Sequence, residues 1–395
     1  MPKSSLIKRY LHDGIDGDAL AHGKMAFISG PRQCGKSTMG RSLLLSPKNE
    51  FNWDQSRFRL AWTKDPEVAL EHREPGAVLL DEIHKDRKWK QRIKGFYDVH
   101  GEEVPIVVTG SARLDFYRKS GDSLLGRYIP YRLHPFSVGE TVAPPEPENW
   151  FERSTNTVFP LQDILRLSGF PEPLLRGSEG HAKRWSRLRL ERLLTEDVRD
   201  FRNISDLHAL RNLVELLPER VGSPFSVNSL REDVGVAYAT VRDWMLLLES
   251  LYVCFFVRPY CGNLKRALRA EPKVYLFDHL PIESPAAKIE NLAACHLLKM
   301  CHYWTDLALG DFSLHYFRNK EREEIDFVVV KDKKVWMLVE CKSGDTRPSK
   351  TLTKYQALFR PRYSIQLVSK PAYEKYFPAH STWVMDYEHF FAKLV

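Results

Sequence analysis

Residues 25–38 read MAFISGPRQCGKST, four apolar residues and Ser29 followed by Gly30-Pro31-Arg32-Gln33-Cys34-Gly35-Lys36-Ser37 and then Thr38. The second part fits G-x-x-x-x-G-K-S, a loop whose backbone N–H groups cradle phosphates where a strand turns into a helix. Average composition produces this pattern by chance in about 1% of chains this long. Its context also fits, since MAFIS reads as a buried strand and a helical segment follows. Lys36 is expected on the β- and γ-phosphates of ATP, Ser37 on Mg²⁺ through its hydroxyl, and Thr38 near the α-phosphate. Gly30, Pro31, Arg32, Gln33, Cys34 and Gly35 form the cradle.

Working outward, FNW, AVLL and PIVVTG carry the density of buried strands, with longer mixed segments between them. That alternation predicts a parallel sheet with helices on both faces. The strand ending Ala77-Val78-Leu79-Leu80-Asp81-Glu82 supplies the acids a phosphate loop needs. Asp81 is expected in the magnesium shell, and Glu82 as the group that orients or deprotonates the attacking water. PIVVTG brings Thr109, Ser111 and Arg113 to the same sheet edge, with Ser111 the favoured γ-phosphate sensor. Arg127, in LLGR, reads equally as an arginine finger reaching a neighbouring subunit and as an ordinary surface arginine.

The whole chain is ordinary globular protein: 395 residues, 43% apolar, 28% charged, enough for several cores. Its charged N-terminus, MPKSSLIKRY, lacks the apolar core of a signal peptide. Met245 to Val257 is interrupted by Glu249 and Ser250 and falls short of a membrane span. Six scattered cysteines without a C-x-x-C pair imply free thiols in a reducing compartment. A cytoplasmic protein with no membrane partner is therefore expected. The net charge of +8 favours a polyanionic partner such as DNA, though only as a field effect.

The Pro-rich acidic stretch Thr141 to Asn149 reads as a linker. Leu161 to Arg220 is an expected helical bridge. Ser226 can cap a helix to Val234, Gly235 supplies a turn, and Ala237 to Leu251 gives a second helix; YVCFFV and KVYLF are then candidate wing strands. Tyr238 and Arg242, on the exposed side of the second helix, are candidate DNA contacts, although such modules also bind proteins.

Further on, Glu340-Cys341-Lys342 closes an apolar strand. E-x-K occurs by chance about once per chain of this length, and Glu271-Pro272-Lys273 reads as a second copy without meaning. The first copy gains weight from Asp326, which opens the preceding strand IDFVVV. A hairpin centred on Lys333 would set Asp326 opposite Glu340 on one face, with Lys342 two residues on. That register needs a loop of odd length or a bulge. Glu290 lies among Ala286, Ala293, Ala294 and Leu297 on a helix that Ser284 and Pro285 can start, so this carboxylate faces inward and needs a partner. Two or three acids and a lysine could bind Mg²⁺ for phosphodiester cleavage, with Asp326 and Glu340 as metal ligands.

Taken together, ISGPRQCGKST, VLLDEIHK, VVTGSARL, LLGRYIPYRLHPFSVGE, GFPEPLL, PKVYLFD, EIDFVVV and LVECKSG resemble the bacterial and archaeal AAA+ ATPases that end in a domain of unknown function. The resemblance covers nearly the whole chain. It implies a PD-(D/E)xK nuclease-like last domain and a homo-oligomer, with a hexameric ring among the assemblies it allows. The expected architecture is α/β: a P-loop AAA+ parallel sheet over 1–143, a helical bridge over 150–220, a winged helix over 221–280 and a restriction-endonuclease-like domain over 281–395. The expected activity is ATP hydrolysis coupled to work on DNA. Its rival is a nucleotide-gated, protein-binding switch whose nuclease domain has degenerated.

Overall fold

The computed structural model describes residues 7–110, 124–140, 144–152, 157–198, 206–261 and 271–395. These divide into two compact units, with the change-over between Pro135 and Pro145. It falls across the stretch that the sequence marks as a linker.

In the first unit, β1 (Met25–Ser29), β2 (Glu50–Asn52), β3 (Val78–Asp81), β4 (Ile106–Thr109) and β5 (Tyr128–Arg132) form a parallel sheet in the order β2-β3-β4-β1-β5. Every residue of β1, β3 and β4 is buried. Such unbroken apolar runs are what a parallel sheet covered on both faces requires. Helix α1 (Lys36–Ser42) follows the phosphate loop, and α2 (Ser56–Lys64) and α3 (Trp89–His100) bring Phe58, Trp62, Trp89, Ile93 and Phe96 into the core beside Phe27, Val78 and Leu80. Pairing of Asp81 with Thr109 and of Ile28 with Thr109 aligns the C-terminal ends of β1, β3 and β4. The loop, the acids and the sensor strand therefore end at one sheet edge.

The second unit opens with helices α4 (Leu161–Leu167), α5 (Pro171–Arg176), α6 (Glu179–Arg192) and α7 (Leu207–Arg220). The expected helix pair follows as α8 (Val227–Val234), capped by Ser226, and α9 (Tyr238–Ser250), with left-handed Gly235 (φ 72°) ending α8. An eight-stranded sheet comes next, in the order β12-β13-β11-β10-β9-β8-β6-β7. Its strands are β6 (Cys254–Pro259), β7 (Lys273–Leu276), β8 (Phe312–Arg318), β9 (Glu324–Lys331), β10 (Lys334–Cys341), β11 (Tyr363–Val368), β12 (Glu374–Phe377) and β13 (Thr382–Asp386). Helices α10 (Pro285–Asp306), α11 (Lys350–Phe359) and α12 (Tyr387–Lys393) pack on it.

One element departs from expectation. The strands read as a wing, β6 and β7, pair with each other and, through Arg258 and Pro259, with β8. They continue the larger sheet, so the sheet crosses the boundary expected at 280. No described helix is long and apolar enough to cross a membrane.

Candidate functional sites

The phosphate loop keeps its shape through backbone conformations that few residues tolerate. Gly30 has φ 148°, and a Cβ there would stand 2.2 Å from the Leu133 carbonyl oxygen. Gly35 has φ 100° and Gln33 φ 66°, both left-handed. Buried Arg9, a residue the sequence did not single out, donates to the carbonyls of Cys34 (3.0 Å) and His134 (2.6 Å) and so ties the loop down. Lys36 is 7% exposed and folds its Nζ onto the carbonyls of Gly30 (3.0 Å) and Pro31 (2.8 Å). It has no carboxylate partner among the described residues, so its charge is left for an anion to neutralise. Thr38 is exposed in the first turn of α1.

Asp81 is the hub of this edge. Its Oδ1 accepts from Ser37 Oγ (3.0 Å) and Thr109 Oγ1 (2.5 Å), and its Oδ2 from Asn52 Nδ2 (2.8 Å). Burial raises the Asp81 pKa, and neighbouring Glu82 adds to the rise, against the lowering by Thr109, Ser37 and Arg41. A hydroxyl beside a carboxylate is a donor set that suits a hard divalent cation, so Ser37 and Asp81 fit Mg²⁺. Glu82 sits at φ 57°, ψ 20°, a strained placement for a non-glycine residue that is typical of functional sites. Its N–H donates to the Thr109 carbonyl (3.0 Å), and its carboxylate lies 3.6 Å from His84 and 3.5 Å from Lys85. Arg127 is engaged by Asp98 (Nε 2.6 Å, Nη2 3.2 Å). Ser111 and Arg113 lie outside the described residues.

In the second unit, β9 and β10 are joined through Asp332 and Lys333, both left-handed (φ 49° and 66°), a two-residue turn of the kind hairpins favour. Such a turn alone would set Asp326 opposite Val339. A bulge between Val335 and Met337 shifts the register so that Val339 pairs with Phe327. Continued one residue past that pair, the register would set Asp326 opposite Glu340. A second irregularity, between His315 and Phe317 of β8, leaves Asp326 and Phe327 together opposite Tyr316. Bulges of this kind re-aim side chains.

Around Asp326 the polar groups converge. The Cys341 N–H donates to its Oδ2 at 2.8 Å. Burial, then the Glu290 carboxylate, push the Asp326 pKa up to about 7, against the opposing pull of Lys273. Glu290 accepts from Tyr275 OH at 2.8 Å. Glu340 is buried and accepts from Ser349 Oγ (2.7 Å) and from Lys342 Nζ (2.6 Å). The centre of the cluster is Lys273, whose Nζ lies 2.6 Å from Glu324, 3.5 Å from Glu290 and 3.8 Å from Asp326. Burial alone would depress its pKa, but Glu290, Asp326 and Glu324 hold it above the ordinary lysine value. The E-P-K copy dismissed in the sequence thus supplies the central lysine. Its signal was the odd placement of a lysine in KVYLF, a strand otherwise wholly apolar. Among the described residues no group of three His, Cys, Asp or Glu side chains is disposed to hold a metal, and Lys273 stands among the acids expected to bind one.

Tyr238 is 47% exposed at the start of α9, and Arg242 is exposed with its guanidinium on Asp243 (3.0 Å). The two therefore share the solvent side of that helix.

Residues 22–142 match the family model of an AAA domain. Residues 160–279 and 287–388 match two domains of unknown function, DUF8612 and DUF4143. An uncharacterized protein of Mycobacterium tuberculosis, Rv2008c, is 22% identical over 321 residues, which cover 79% of this chain and 68% of that one. MJ1637 of Methanocaldococcus jannaschii is 25% identical over 232 residues, 52% of this chain and 47% of that one. Among solved structures, Aeropyrum pernix ORC1 in complex with DNA is similar at TM-score 0.31 and 15% identity, covering 74% of this chain and 95% of that one. The Thermotoga maritima RuvB Holliday junction branch migration motor is similar at TM-score 0.28 and 15% identity, covering 67% and 92%. Residues 22–142 of the first unit thus match an AAA domain, and the chain joins that segment to a helical segment and a mixed-sheet C-terminal region.

Proposed function

We propose that this chain is an ATP hydrolase that acts on DNA, by binding, remodelling, translocating or processing it. The observation that carries the ATPase half is the hydrogen-bonded set Ser37–Asp81–Thr109 beside a Lys36 with no carboxylate partner among the described residues. When ATP enters, Lys36 exchanges its two loop carbonyls for the β- and γ-phosphate oxygens, a stronger charge-assisted contact. Ser37 and Asp81 would hold Mg²⁺, which supplies charge neutralisation for the transferring phosphoryl group. Glu82, fixed by its left-handed backbone next to β4, orients the attacking water and draws off its proton. Arg127 would need to leave Asp98 before it could serve a neighbouring subunit.

Support for DNA as partner comes from the net charge of +8 and from the exposed Tyr238 and Arg242 on a helix pair of the kind that docks on duplexes. A second reading, a nucleotide-gated protein-binding switch with a degenerate nuclease region, is favoured by the lysine standing among the C-terminal acids. DNA affinity measured with and without ATP across a salt series separates the two. The DNA reading expects binding that changes with nucleotide and weakens with salt at a log–log slope of about −0.9 per phosphate contacted. Affinity indifferent to both ATP and salt supports the switch.

A further inference from the structure

The acids of the second unit come from three elements: Glu290 from α10, Glu324 and Asp326 from β9, and Glu340 from β10. Glu340 is matched by Lys342 at 2.6 Å. The other three surround one ammonium, with Lys273 Nζ at 2.6, 3.5 and 3.8 Å and its side chain 1% exposed. Arg318 Nε adds a second cation, 3.6 Å from Glu324 Oε2. Two further donors sit on these acids: Tyr275 OH on Glu290 and the Cys341 N–H on Asp326.

We propose that Lys273 is the resident cation of this acidic site, standing where a divalent ion would otherwise bind and keeping such an ion out. Occupancy carries the argument. A magnesium ion needs near-octahedral oxygens at about 2.0–2.1 Å, and Lys273 Nζ, within 3.8 Å of all three acids, fills the space where it would stand. Three formal negative charges against two positive ones also leave one unit of charge, half of what a divalent ion would balance. A metal could enter only by displacing Lys273, and the lysine is fixed by its strand: Val274 and Tyr275 on either side of the chain path are fully buried, and β7 pairs with β6 along its length. The cation and the acids belong to different modules, because Lys273 lies in the segment 160–279 and Glu290, Glu324 and Asp326 in the segment 287–388. This inference rests on reading the acidic cluster as a cation site of the nuclease type.

The test is Mn²⁺ binding, read as loss of the free-ion electron paramagnetic resonance signal, in the full chain carrying Asp81→Asn, which removes the acid of the other candidate cation site. That parent should show no Mn²⁺ site that Asp326→Asn removes. Adding Lys273→Met should create one site, at least about tenfold tighter than any residual binding by the parent, a change of ~1.4 kcal/mol, and Asp326→Asn should abolish it again. Lys273→Arg, which keeps the charge, should leave the site closed. An Asp326-dependent Mn²⁺ site already present in the parent overturns the inference and leaves the cation-site reading intact. A folded Lys273→Met protein with no new site overturns that reading, and the inference with it. If Lys273→Met fails to fold, the parent with and without Asp326→Asn still decides, since an Asp326-dependent site contradicts the inference and its absence supports it. None of these readouts depends on ATP hydrolysis or DNA binding.

Discussion

His296, on α10, has its ring between two backbone groups of opposite demand. Its Nδ1 lies 2.8 Å from the Leu292 carbonyl, its Nε2 accepts from the Val138 N–H at 3.2 Å, and its face stacks on Phe391 at 4.2 Å. Only the neutral ring with its proton on Nδ1 satisfies both contacts, a tautomer inferred from the partners. Burial, reinforced by Lys299 and His279 against the Leu292 contact, lowers its pKa to about 3. The sign follows from linkage: below the unfolded value near 6.5 the unfolded chain binds a proton that the folded chain refuses. This contribution is therefore whole above about pH 6.5 and is lost as pH falls towards 3, at about 1.4 kcal/mol per pH unit. Urea unfolding of wild type and His296→Gln between pH 4 and 7 checks it: the difference between their stabilities should narrow with that slope as pH falls. Parallel pH profiles would mean that the ring titrates normally.

At the scale of elements, the hairpin β9–β10 places the acidic residues, and its turn is suboptimal. Lys333 sits at φ 66°, where a side chain costs roughly 1–2 kcal/mol and glycine costs nothing sterically. Glycine also adds about 0.4–1 kcal/mol of unfolded-state entropy, so Lys333→Gly should stabilise the fold by about 0.5 kcal/mol net. A small rise in thermal midpoint, without change in metal or nucleotide binding, is the expected outcome; a drop would mean that the Lys333 side chain makes a compensating contact.

The same hairpin marks what was legible in the sequence. Asp326 and Glu340 could be aligned from period two alone, and the requirement for a bulge or odd loop followed from counting residues. Which of the two occurs could not be read, because the bulge at Trp336 depends on packing. The phosphate loop, β1, β3, β4 and the capped helices α8 and α10 were legible because local chemistry fixes them: glycines at forced φ values, serines at N-caps, unbroken apolar strands. Of the edge strands, β2 and β7 were legible as FNW and KVYLF, and β5 and β12 were not. β5 carries Pro130 and alternates poorly, and β12 is largely exposed. β8 alternates buried and half-buried residues and could have been found by the period-two rule. Lys273 was missed for a different reason: its neighbours come from α10 and β9, and β6 joins β8 by a parallel pairing across more than fifty residues of chain, which no local window reports.

The two candidate sites, one in each unit, are electrostatic opposites. In the second unit four carboxylates are already met by Lys273, Lys342 and Arg318. In the first, Lys36 is buried against backbone carbonyls with no carboxylate partner among the described residues, and the Ser37–Asp81 pair stands ready for a hard cation. The site that lacks a counter-charge is the one built to receive a ligand, so the central claim is that ATP is bound and hydrolysed there. The direct measurement is nucleotide affinity and single-turnover hydrolysis for Lys36→Ala and Glu82→Gln side by side. Lys36→Ala should weaken ATP binding by about 10–100-fold, the worth of a charged hydrogen bond. Glu82→Gln should bind ATP within a few-fold of wild type and hydrolyse it about 10²–10⁴ times more slowly. Wild-type turnover in both proteins, or equal loss of binding in both, would contradict the assignment.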